Sequence, residues 1–152
     1  MKSKSEKAIA SFQGDYNCAQ SVLSVFSDSL QIGEEQCLKI ASPFGAGIAY
    51  MQESCGAVSG ALMAIGLKYG QGANGSSLDK ETAYDISQHF INEFKKSFGS
   101  VKCKDLLDQL NLSTPEGLSK IKEQNLFRLR CDRHVQEAVH IVENIFEKLK
   151  IE

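Results

Sequence analysis

The chain has 152 residues, 42 % hydrophobic and 24 % charged, with a net charge of −2 at pH 7. That length buries a core in one domain without disulfide staples. The interspersed, nearly balanced charge argues against nucleic acid or an anionic membrane surface as a partner. Five cysteines, at 18, 37, 55, 103 and 131, are an odd number, which argues against a fully paired extracellular framework. In a reducing compartment they are core thiols or metal and redox groups.

In chain order, the polar segment Met1–Lys7 has no secretory h-region after it, so a cytoplasmic location is expected. Residues 3–13 predict a short helix stopped by Gly14. Asp15 or Asn17 then caps a second helix to about Leu30, with Ala19, Val22, Leu23, Phe26 and Leu30 at helical spacing. Glu34–Ala41 predicts a third, ended by Ser42-Pro43 because the residue before proline disfavours the α region. Phe44-Gly-Ala-Gly-Ile48 reads as a tight turn. No strand precedes Gly45-Ala-Gly47 and a third glycine is missing, so it is not a dinucleotide loop.

Residues 54–69 predict a central helix. From Cys55 to Leu67, about 13 residues, there is no charge, and Gly56, Gly60 and Ala64 share one face. That run is well short of the roughly 20 residues of a bilayer span, so no membrane span is expected. After the flexible loop 70–77 come an amphipathic helix over 78–98 stopped by Gly99 and a short helix opening at Cys103. Ser113-Thr-Pro-Glu116 announces the next, with a Ser/Glu capping box. The last runs from Cys131 or Asp132 to Leu149. No segment reads as a strand. The expected fold is a single compact all-α domain around a buried small-residue central helix.

Cys18, Cys55, Cys103 and Cys131 fall in or beside predicted first turns, Cys18 after a capping Asn17 and Cys55 after a capping Ser54. There, free N–H groups and the helix dipole favour thiolate. Lys102 and Lys104 flank Cys103, and Arg128, Arg130 and Arg133 surround Cys131. Cys37 has neither a cap nor a basic neighbour and reads as structural. No C-x-x-C occurs, which excludes a zinc ribbon or thioredoxin motif, and no C-x-x-C-H occurs for haem attachment. Any joint site is assembled from four separate helices. His89 and His140 read as surface or packing residues. His134, three residues after Cys131, is on a face that could reach a shared site. No Ser-His-Asp arrangement is evident.

Asn17-Cys-Ala-Gln20, Cys55-Gly-Ala-Val-Ser-Gly60, Ala61–Gly70, Cys103, Ser113–Gly117 and Cys131 together resemble the C-GCAxxG-C-C family of redox-active proteins over roughly residues 8–149. The family's four cysteines map onto Cys18, Cys55, Cys103 and Cys131. The resemblance extends to a domain of split-Soret cytochromes in which cysteines hold an iron–sulfur type centre beside haem. With no attachment motif in this chain, no haem is expected.

Three readings follow. In one, Cys18, Cys55, Cys103 and Cys131 are metal ligands for a [2Fe–2S] cluster or another thiophilic metal. Gly56 and Gly60 then allow close packing and bring backbone N–H groups near the sulfurs. In the second, the same cysteines form a thiol–disulfide switch, with Cys55 the more reactive thiol and Cys103 or Cys131 resolving it. In the third, the chain is a non-catalytic scaffold. A redox partner is implied but not identified, and an exposed small-residue face would pair two chains as a homodimer unless it is buried internally.

Overall fold

The computed structural model describes residues 1–150. Among them the chain is all-α, with one isolated bridge between Ser54 and Lys102 and no strand. Helix α1, Lys4–Gln13, opens on a Ser3/Glu6 capping box. Helix α2, Cys18–Ser24, opens on a second box: Asn17 Oδ1 accepts from Gln20 N–H at 3.0 Å, and Gln20 Oε1 accepts from Asn17 N–H at 3.0 Å.

Helix α2 stops six residues short of the expected Leu30. Beyond Ser24 the backbone bonds tighten to i→i−3, Phe26 to Leu23 and Ser27 to Ser24, and the Ser29 hydroxyl donates to Phe26 O at 3.0 Å. Serines offer the backbone this alternative to the helical ladder. The apolar pattern survives because Phe26 is still buried.

Helix α3 spans Glu34–Ala41 and leads into a 3-10 turn, Ser42–Phe44. Helix α4 spans Gly56–Tyr69, with Cys55 rather than Ser54 as its N-cap residue. Ser54 is instead held in the bridge to Lys102. Helix α5 is Ser77–Phe98 and ends on Gly99 at φ 83°; α6 is the single turn Cys103–Leu106. Helix α7, Pro115–Glu123, is capped by Thr114, whose hydroxyl accepts from Gly117 N–H at 3.1 Å. The expected Ser113/Glu116 box does not form, because Ser113 Oγ turns to Tyr50 O. A π-helix, Phe127–Cys131, then runs into α8, Asp132–Lys148. No described helix is long and apolar enough to cross a membrane.

The turn before α4 departs most from expectation. Ala46, Gly47, Ile48, Ala49 and Tyr50 all have positive φ, so the chain makes a left-handed turn. Side chains there cost about 1–2 kcal/mol per residue, and bonds across the turn hold it: Ala49 N–H to Pro43 O at 2.9 Å and Glu53 N–H to Gly47 O at 2.8 Å.

Helix α4 lies deep because its glycines let α2 approach. A Cβ on Gly60 would meet Ala19 O at 2.6 Å, and one on Gly56 would overlap Cys18 Sγ. The small-residue face is therefore spent inside the chain. Around it packs the main core, with Phe26, Ile65, Phe90, Phe94, Val135, Val139 and Val142; a smaller cluster joins Cys103, Leu107, Leu112, Ile121 and Leu126.

Asn17 closes α2 and also donates through Nδ2 to Ser42 O at 2.9 Å, tying the helix to the segment before the left-handed turn. Asn17→Ala is expected to cost ~1–2 kcal/mol, read as a lowered urea midpoint; an unchanged midpoint would show that neither bond contributes.

Candidate functional site

The four mapped cysteines are placed by three devices. Cys18 is the first residue of α2, after the Asn17 cap. Cys55 and Cys103 are held together by a two-residue antiparallel register: Cys55 N–H donates to Val101 O and Cys103 N–H to Glu53 O, each at 2.7 Å. Cys131 ends the π-helix that also carries Phe127. Such wide turns are uncommon and recur at functional sites.

These devices bring all four thiols to one cavity of about 180 Å³ at the seam between the two core clusters. Phe12, Tyr50, Leu106, Leu107, Leu112 and Phe127 supply most of the rest of its wall. Cys37 is buried elsewhere, in the main core, where desolvation raises its pKa. It is the structural thiol that the sequence implies.

The Cys18 and Cys55 side chains are neighbours in the cavity wall, and an S–H···S⁻ interaction between them is the first influence on both pKa values. The Cys55 S–H donates, and this bond is the largest cause of a Cys18 pKa lowered to about 7, with the backbone N–H groups of Ala46 and Ala19 adding to it. Cys55 is driven the opposite way, well above the usual thiol range, first by serving as that donor and then by burial. Three backbone groups serve the Cys18 sulfur and one, from Ala57, serves Cys55, so the charge belongs on Cys18.

The surroundings thus favour Cys18, where the sequence pointed to Cys55, as the thiolate of the pair. They also correct the expectation that all four positions favour thiolate. Burial pushes the Cys103 thiol up to about 12, reinforced by the nearby Cys18 charge. Cys131 rises further, by burial and then by Cys18 and Cys103, and Arg130 offsets this only slightly. Removing a thiolate from water outweighs a neighbouring cation or the end of a one-turn helix.

His134 does reach the cavity wall, buried at 4 % exposure. Burial, then Arg130 and Arg133, lower its pKa to about 4, so it is neutral near pH 7. His140 lies elsewhere, against Ser5 Oγ at 3.1 Å, and His89 is exposed.

Two contributors are not evident from motif reading. Ala46 lends its N–H to Cys18 from within the left-handed turn. Gln52 is buried, slightly offsets the rise in the Cys103 pKa, donates to Leu110 O at 2.8 Å and accepts from Leu112 N–H at 2.9 Å. It thereby locks the left-handed turn to the far wall. The spacing Gly45-x-Gly47 marks that turn, but nothing local shows that it covers the thiols. Gly47 sits so close that a Cβ there would lie 2.7 Å from Cys103 Cβ.

Among the described residues no three His, Cys, Asp or Glu side chains form a group that could hold a metal ion. The four cysteines nonetheless line one cavity, and thiols are the donor type that thiophilic metals and iron–sulfur clusters take.

An all-α domain that gathers four cysteine thiols around one apolar cavity belongs to the class of helical proteins with a buried thiol centre. Within that class the family described as "Putative redox-active protein (C_GCAxxG_C_C)" matches residues 16–145, and the chain belongs to that family. No curated protein and no solved structure matches the chain.

Proposed function

We propose that this chain carries electrons through its cavity thiols, with Cys18 and Cys55 cycling between a dithiol and a disulfide. What supports it most is that Cys18 and Cys55 are neighbours in the wall of one cavity, with Cys18 the one favoured as thiolate. Thiolate attack is the rate-setting feature of thiol–disulfide exchange. With a small disulfide as oxidant, Cys18 thiolate attacks one of its sulfurs and expels a thiolate. Cys55 then attacks the Cys18 sulfur, loses its proton and expels the second thiol. Two electrons have passed to the oxidant and one disulfide has formed in the chain.

Mild oxidation followed by peptide mapping tests this, the expected result being a dominant Cys18–Cys55 disulfide. A dominant pair involving Cys103 or Cys131, or scrambled pairing, overturns it.

A second reading rests on the convergence of all four thiols on one cavity with Cys37 outside. Cys18 and Cys55 would hold one iron, and Cys103 and Cys131 the other, of a [2Fe–2S] cluster, which would supply one-electron transfer. The apolar wall would keep water out, and the Ala46 and Ala57 N–H groups would steady the sulfurs. Anaerobic reconstitution with iron and sulfide is expected to give a coloured protein whose absorption is lost in Cys131→Ser and kept in Cys37→Ser. A colourless, iron-free product overturns this reading.

A further inference from the structure

His134 stands in the cavity wall on the first turn of α8, with its ring edge-on to Phe98 at 4.7 Å between centroids and beside Phe94 at 6.1 Å. The two aromatics fix the plane of the imidazole. His134 is 4 % exposed, and burial keeps its ring neutral near pH 7, so it carries one acceptor nitrogen and one N–H into this wall.

The same ring borders a second void. On its other side lies a polar cleft of about 340 Å³ lined by Ser97, Asp105, Asp108, Arg130 and Arg133. Only Leu106 and His134 border both spaces. Leu106 carries no proton, so His134 is the one shared wall residue that can hand a proton across.

We propose that His134 is the proton port of the centre, passing the proton that Cys55 releases on disulfide formation from the thiol cavity to the polar cleft, and returning it on reduction. This rests on the dithiol reading. The balanced step is Cys18–S⁻ + Cys55–SH + R–S–S–R giving Cys18–S–S–Cys55 + R–S⁻ + R–SH, where R–S–S–R is a small uncharged disulfide. Through the port, the Cys55 proton reaches water at the cleft and then the expelled thiolate.

A neutral imidazole has one acceptor nitrogen and one N–H. It gains a proton on the cavity side as it gives one up on the cleft side, and no buried imidazolium forms. The surroundings favour that transfer without net charging. Arg130 and Arg133 from its own segment oppose a cation, Phe94 and Phe98 from α5 are apolar, and Cys131 and Cys103 stay protonated. Asp105 and Asp108 face the cleft, where Asp108 pairs with Arg130 at 2.5 Å and Asp105 accepts from Ser100 at 2.7 Å.

The test follows Cys18–Cys55 disulfide formation by 2-hydroxyethyl disulfide, using acid quench and mass spectrometry, in the whole chain. His134→Ala is expected to slow formation by about a hundredfold, to leave the equilibrium against a dithiol buffer unchanged, and to recover speed when free imidazole enters from the cleft. The solvent isotope effect on the rate should shrink in the variant. A rate equal to that of the parent, or a slow rate that imidazole leaves slow, overturns the proposal. Should the alanine variant fail to fold, His134→Gln keeps the test: a parental rate and isotope effect in it overturn the port. Absence of the Cys18–Cys55 disulfide from the parent chain itself would instead defeat the dithiol reading.

Discussion

Cys18→Ser is expected to abolish the one fast-alkylating thiol of the native chain. With a pKa lowered to about 7, about half of Cys18 is thiolate at neutral pH. A thiol titrating at the model-peptide value would be about three parts in a hundred ionised, so the advantage is about fifteenfold. The sign follows from the causes. A hydrogen bond from Cys55 and backbone N–H groups stabilise the charged form, so the thiolate is present above pH 7 and its reactivity falls away below it.

Cys103 and Cys131 are protonated throughout this range because desolvation dominates both, and they stay slow. Alkylation by iodoacetamide across pH 5–10, read residue by residue by mass spectrometry, should show half-maximal reactivity near 7 at Cys18. Cys55→Ala should shift that midpoint upward, since the donating S–H is gone. A native midpoint near 9, or faster labelling of Cys55 than of Cys18, would remove the basis for assigning Cys18 the charge.

Gly56→Ala should be strongly destabilising, and its damage should fall directly on the thiol site. The new Cβ would overlap Cys18 Sγ and stand 3.0 Å from Ala19 N and Phe44 O, two backbone atoms that cannot rotate away. Both α2 and the segment entering the left-handed turn would have to move. Overpacking of this kind costs ~3 kcal/mol, a drop in Tm of about 6–12 °C for a chain of this size. It should also widen the Cys18–Cys55 spacing and return the Cys18 titration towards its ordinary range.

Gly66 is the internal control on the same helix, since nothing lies within 4 Å of a Cβ placed there. Gly66→Ala should raise stability by ~0.5–1 kcal/mol through helix propensity alone. Calorimetry on the pair decides the matter: equal effects would mean that α2 and α4 are not in the close contact described.

Those two glycines show where sequence reading stops. Both sit in the same helix, whose only charge is Lys68 in the last turn, and Gly56, Gly60 and Ala64 mark a face by spacing alone. Which neighbour uses that face depends on where α2 lies, and no local pattern contains that. Element type was legible almost throughout because capping and periodicity are local. Asn17 with Gln20, the apolar stripe of α5 and its stop at Gly99 all work within a few residues. The second helix was overextended because its apolar spacing continues past Ser24, while the serine bonds that end it carry no periodic mark.

The same division runs through the site. By itself the sequence determined an all-α chain, four cysteines at or near helix starts, and a fifth, Cys37, set apart with no cap beside it. Only the tertiary structure decided that the four thiols share one cavity, that Cys18 neighbours Cys55 in its wall, and that Cys18 rather than Cys55 is favoured to hold the charge. A helix start is written in adjacent residues. A thiol's pKa is set by how much water is removed around it and by which atoms arrive from distant segments. Here those atoms are the Cys55 sulfur from the far end of a 37-residue separation and an N–H from a left-handed turn held by Pro43 and Gln52.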